Sequence, residues 1–88
     1  MCTYSTEKVA LERSSGKTRD GWAAMSEATV YYDHPVHAPD AHTVNIDFAN
    51  PSSGPAARVA VELTAASARE LVAAIQAALD SAPAALTV

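Results

Sequence analysis

Apolar and polar side chains alternate strictly between residues 42 and 49. His42, Val44, Ile46 and Phe48 fall on one side, and Thr43, Asn45 and Asp47 on the other. A period of two predicts a strand with one face buried. Residues 58–63 repeat the pattern, with Val59, Val61 and Leu63 against Arg58, Ala60 and Glu62. Two earlier stretches are rich in β-branched and aromatic residues: 3–11, with Thr3, Tyr4, Thr6 and Val9, and 22–32, which ends in Thr29-Val30-Tyr31-Tyr32. Both predict strands. Beyond Thr64 the period changes. Ala68, Leu71, Val72, Ile75, Ala78 and Leu79 recur at helical spacing, which predicts one amphipathic helix. Thr64 can cap its first turn, or Ser67 can do so with Glu70 three residues on. The helix ends near Ser81, before Pro83.

The connections differ in character. Residues 12–20 are charged and polar around Gly16 and predict a turn or mobile loop. Residues 33–41 hold Pro35 and Pro39, which fix their own φ and push His34 and Ala38 away from helical geometry. That segment predicts an ordered connection. Asn50-Pro51-Ser52-Ser53-Gly54-Pro55 is a turn cluster. There is no internal repeat and no interdomain linker. The chain therefore predicts a single α+β domain over residues 1–82, with a loose tail at 83–88. Its order is ββββα: a four-stranded antiparallel sheet with the C-terminal helix packed on one face. The covered face would carry Val44, Ile46, Phe48, Val59, Val61 and Leu63 against Leu71, Val72, Ile75 and Leu79 of the helix. The other face would show Thr43, Asn45, Asp47, Arg58 and Glu62. That face is either solvated or a polar pocket or self-association surface, with Arg58 pairing Asp47 or Glu62.

Composition qualifies this picture. Hydrophobic residues make up 49% of the 88, but 20 of them are Ala, while Leu, Ile, Val and Phe together number 16. The core is thin, so a partner subunit or a bound metal is expected to supplement it. A homodimer is the expected assembly. The net charge of −4 argues against binding nucleic acid or a basic-patch membrane association. One cysteine cannot form an internal disulfide. No apolar run reaches the ~20 residues of a membrane helix, and the N-terminus lacks the basic-then-apolar pattern of a secretory signal. A cytoplasmic location is the expectation.

All three histidines fall within nine residues, in Asp33-His34-Pro35-Val36-His37-Ala38-Pro39-Asp40-Ala41-His42. Neutral imidazole is a common metal ligand, and prolines lower the entropy cost of presenting one. The metal reading takes His34, His37 and His42 as ligands to a divalent ion, zinc or another transition metal. Cys2 would be a fourth ligand if the first strand runs alongside. The spacing H-x2-H-x4-H matches neither a zinc finger nor a helical H-E-x-x-H. The ordinary reading is therefore loop histidines hydrogen-bonded or exposed, with His42 opening a strand. A third reading uses an imidazole as general acid or base without a metal. Alternation sends His42 to the apolar face and Asp47 to the other, which argues against a shared coordination sphere. Cys2 is otherwise an inert buried thiol. Tyr31, Tyr32 and Trp22 either line a small-molecule pocket, with Asp33 and Asp47 beside Tyr32, or serve as core or dimer contacts. The dispersed glycines form no phosphate loop, and no nucleophile elbow is present. No nucleotide cofactor is expected.

Several segments resemble one family: Met1-Cys2-Thr3-Tyr4, Gly21-Trp22, Val30-Tyr31-Tyr32-Asp33-His34-Pro35 with His37-Ala38, His42-Thr43-Val44-Asn45-Ile46-Asp47-Phe48, Gly54-Pro55, Ala57-Arg58-Val59-Ala60-Val61-Glu62-Leu63 and Ser67-Ala68-Arg69. The chain is similar over residues 1–80 to a family of short proteins from high-GC bacteria, a domain of unknown function. That resemblance implies a small enzyme or accessory protein of a specialised-metabolite pathway. It brings no catalytic residues to carry over. Three functions follow as expectations: a metal-binding protein, a metal-free dimeric binding module, and a cofactor-free small-molecule enzyme with histidine as acid or base.

Overall fold

The alternating segments pair as their pattern demands. In the computed structural model, which describes residues 4–87, the strands β1 (Thr6–Thr18), β2 (Gly21–Asp33), β3 (Thr43–Ala49) and β4 (Arg58–Leu63) are followed by one helix, α1 (Ala65–Ser81). The strands form a single antiparallel sheet in chain order. The fold is the expected ββββα arrangement. A short 3-10 turn at Pro51–Ser53 joins β3 to β4, with the Asn50 side chain accepting the Ser52 amide at 3.2 Å. A second, Ala84–Leu86, follows the helix.

Register fixes the two faces. Val30 pairs with Ile46 and Ile46 with Val61, and Tyr32 pairs with Val44 and Val44 with Leu63. These residues share the apolar face, with Ala28, Phe48 and Val59 in the next row. Tyr31, Asn45 and Glu62 form one row of the opposite, polar face, and Thr29, Asp47 and Ala60 the next.

The first hairpin corrects the expectation of a turn or loop at 12–20. β1 continues through this segment to Thr18, and the reversal is made by Arg19 and Asp20 alone. Thr18 holds the turn: its hydroxyl accepts the Asp20 amide at 3.2 Å and donates to the Gly21 carbonyl at 2.9 Å. Polar residues are compatible with an edge strand, which has one side free to solvent. The irregularity instead lies between Ala10 and Ser14, where pairing shifts and Arg13 takes φ 50°. Such bulges bend and twist a strand. Beyond this one, Gly16 lies against Met25 and the β4 residue Val59. A Cβ there would stand 3.0 Å from Met25 Cε, 3.2 Å from its Cγ and 3.5 Å from Val59 Cγ2. Glycine is used at 16 for this close approach rather than for a turn.

The helix begins at the first of the two predicted caps. The Thr64 hydroxyl accepts the Ser67 amide at 3.0 Å, and the helix ends at Ser81 before Pro83. Its position corrects the expectation of a covered sheet. Only its first turns approach the strands: Ala65 and Ala68 are half-buried, and the rest of the helix is exposed. Leu71 is 42% exposed, Val72 68%, Ile75 54% and Leu79 50%. A single residue, Thr64, separates β4 from α1, so the end of β4 sets the direction in which the helix departs. The alanines of its first turns offer little apolar area to draw it down. Among the described residues the buried hydrophobics are Met25, Ala28 and Ala57, and the buried polar residues are Thr43 and Asn45. No helix among the described residues is long and apolar enough to cross a membrane.

Candidate functional site

The connection between β2 and β3 arches over the polar face, and Glu62 holds it there. The Glu62 carboxylate accepts three successive backbone amides: Val36, His37 at 3.0 Å and Ala38 at 2.9 Å. Pro35 and Pro39 flank these amides and fix their own φ, while the chain bends at Val36 and His37 to bring the three amides to one acceptor. Hydrogen bonds from Val36 and Ala38 are the main reason that the Glu62 carboxyl is held below its ordinary value of 4.5, with His37 contributing through its own amide and its charge.

Beneath the arch lies a half-open cleft of about 590 Å³. Its floor is Tyr31, Asn45, Asp47 and Arg58, and its roof includes His34 and His37. The floor is internally bonded. Asp47 accepts Arg58 Nη2 at 2.8 Å and the Tyr31 hydroxyl at 3.3 Å. Partial burial first, and the Asp47 carboxylate second, raise the Tyr31 phenol above its ordinary value of 10.0. Next to the floor in β3, the fully buried Thr43 hydroxyl donates to Asn45 Oδ1 at 2.6 Å. The cleft thus offers a guanidinium, a phenol, a carboxylate, an amide and imidazoles within one concavity.

The three histidines are divided by the arch. His42 stacks on Tyr32, with centroids 5.7 Å apart and planes at 13°, and so belongs with the apolar face. His34 lies next to it, with ring centroids 4.5 Å apart, and its Nδ1 is 2.8 Å from the Ala41 carbonyl oxygen. His37 lies on the cleft side with Glu62. Among the described residues no three His, Cys, Asp or Glu side chains come together as a set able to hold a metal ion. Cys2, the remaining predicted ligand, lies outside the described residues. Asp33 caps the start of the connection, accepting the His34 amide at 2.7 Å. Tyr32 pairs with Val44 on the face away from Asp47, and it forms an aromatic group with Tyr4 and His42, each 6.0 Å from Tyr4. Tyr31 takes the place beside Asp47. Trp22 is 71% exposed and is not a core residue of this chain.

The role of Glu62 as anchor has only a partial trace in the sequence. Its signal was the parity that put it on the face of Asn45 and Asp47, but the long-range register that brings it to residues 36–38 has no local trace. No curated protein and no solved structure matches the chain. The family described as Family of unknown function (DUF6295) matches residues 1–88, the whole length, and the chain belongs to that family.

Proposed function

We propose that the chain is a metal-free binding module for a small polar ligand, held between the β2–β3 arch and the polar sheet face. The observation that carries this reading is the arch itself. Three amides on one carboxylate keep a roof over a cleft of about 590 Å³, within the ~300–1,000 Å³ range of small-molecule sites. The residues favour a ligand bearing a carboxylate or hydroxyl acceptors. Asp47 engages Nη2 of an Arg58 side chain that stays 54% exposed, and a guanidinium has five donors to give. Tyr31 and His37 stand beside it.

The test is an NMR shift titration with a panel of small hydroxy- and amino-carboxylates. Saturable shifts centred on Tyr31, His37 and Asn45, lost in Arg58→Ala, are expected. Absence of saturable shifts across the panel, or shifts that persist unchanged in Arg58→Ala, would overturn the reading.

A metal-binding reading draws support from one observation, the adjacency of His34 and His42 at 4.5 Å between centroids. It needs further ligands beyond these two, with His37 reoriented or Cys2 brought in. Elemental analysis of purified protein, beside a His42→Ala variant, decides it: stoichiometric zinc or another transition metal that the variant loses would establish it over the metal-free reading.

A further inference from the structure

We infer that a second copy of this chain covers the apolar sheet face, with α1 of each copy lying on the sheet of the other. The argument begins with area. The chain exposes 6562 Å², whereas a compact monomer of its mass, 9.1 kDa, exposes about 4,900 Å². The excess, about 1,700 Å², is twice the ~800 Å² that each partner contributes to a standard interface. The radius of gyration agrees: 14.4 Å, with a longest dimension of 43 Å, against about 12 Å for a compact chain of this length.

Part of the excess has an identifiable location on the helix. Leu71, Val72, Ile75 and Leu79 make one stripe of α1, and all four are exposed. The sheet has a matching vacancy. The chain's own helix reaches only the end of the apolar face near Tyr32 and Val44, where Ala65, Ala68 and Val72 border a shallow groove. At the other end, Leu11, Met25, Phe48 and Val59 line an apolar cleft of about 330 Å³ that the helix does not fill. A helix of 17 residues is about 25 Å long, enough to cross a four-stranded sheet with neighbours ~4.8 Å apart. Both surfaces belong to the same chain: the helix stripe is exposed, and Val44, Ile46, Phe48, Val59 and Val61 of the sheet are only half-buried. A two-fold arrangement satisfies both at once, and it closes without leaving an open end. It also supplies what the few buried hydrophobics of the single chain do not, a shared core.

Sedimentation equilibrium on the full chain tests the assembly, and isotope-filtered NOEs in a mixed labelled sample test the docking. A dimeric mass is expected, with intermolecular NOEs from Ile75 methyls to the Phe48 ring. Ile75→Glu would place a charge in the shared core and weaken dimerisation by about a hundredfold or more. Ala77→Glu, on the far side of the helix, would leave it unchanged. A monomer at every concentration up to millimolar would overturn the inference, as would a dimer indifferent to Ile75→Glu or NOEs that run only from helix to helix. The mass and the NOEs are read on the unmutated protein, so they stand whatever a variant does to folding. The cleft under the arch lies on the opposite sheet face, so ligand titration and dimer mass can fail independently.

Discussion

Glu62 on β4 accepts the amide of Ala38 at 2.9 Å, joining two residues that lie 24 positions apart in the chain. Through this bond, and those to Val36 and His37, a sheet side chain shapes a loop that would otherwise extend into solvent. Charge-assisted bonds of this kind are stronger than neutral ones, and their acceptor is titratable.

The arch should therefore open in acid. Because the folded carboxyl is lowered from 4.5, its contribution is fully present above the ordinary carboxylate range and is lost as pH falls through the folded value. Amide hydrogen exchange at Val36, His37 and Ala38 is expected to accelerate as pH drops below about 4.5, after correction for intrinsic exchange. In Glu62→Gln the same amides should exchange faster at neutral pH, with no such step in acid. Protection in Glu62→Gln equal to that of the unmutated chain would contradict the anchoring role.

Tyr31 should ionise above its ordinary value of 10.0. A group whose pKa is raised on folding stabilises the fold below its unfolded value, and that contribution is lost as pH rises through the folded one. Ultraviolet titration of the Tyr31→Phe difference spectrum should reveal this late phenol. Asp47→Asn removes the neighbouring negative charge and its hydrogen bond and should move the midpoint down. An unchanged midpoint in Asp47→Asn would show that the carboxylate has no influence on it.

Thr43→Val keeps the shape of a fully buried side chain but removes the hydroxyl that donates to Asn45 at 2.6 Å. Leaving a buried acceptor without that donor costs about 1–3 kcal/mol. Urea denaturation should report a loss in that range. A cost near zero would mean that the Asn45 side chain finds another donor.

Gly16→Ala forces a methyl group to within 3.0 Å of Met25 Cε and 3.2 Å of its Cγ. Overpacking costs ~1–3 kcal/mol, and the flexible Met25 thioether places this substitution near the lower bound. Met25→Ala in the same chain should relieve the clash, so the double variant should lose less than the sum of the two single ones.

Much of the fold is written locally. The strict alternation at 42–49 and 58–63 marks β3 and β4. The spacing Leu71, Val72, Ile75, Leu79 marks the helix, and Thr64 marks its start. The same parity separates His42 from Asp47 and places Asp47 on one face with Arg58, and the two are joined by a 2.8 Å ion pair. The polar hairpin arm was harder to read. Residues 14–18 owe their strand conformation to pairing with β2, not to their own propensity.

Local pattern is enough to set which residues of β3 and β4 alternate, where the proline-bearing connections lie and which stripe of the helix is apolar, because these depend on backbone periods and on the φ limits of proline. Three features have no such local trace: Glu62 holding the histidine-bearing arch over the polar face, Tyr31 rather than Tyr32 meeting Asp47, and the helix leaving most of its own sheet uncovered. Those outcomes depend on the register between distant strands and on the direction fixed by a one-residue joint. Both are set by the sum of many weak long-range contacts, and no local pattern encodes that sum.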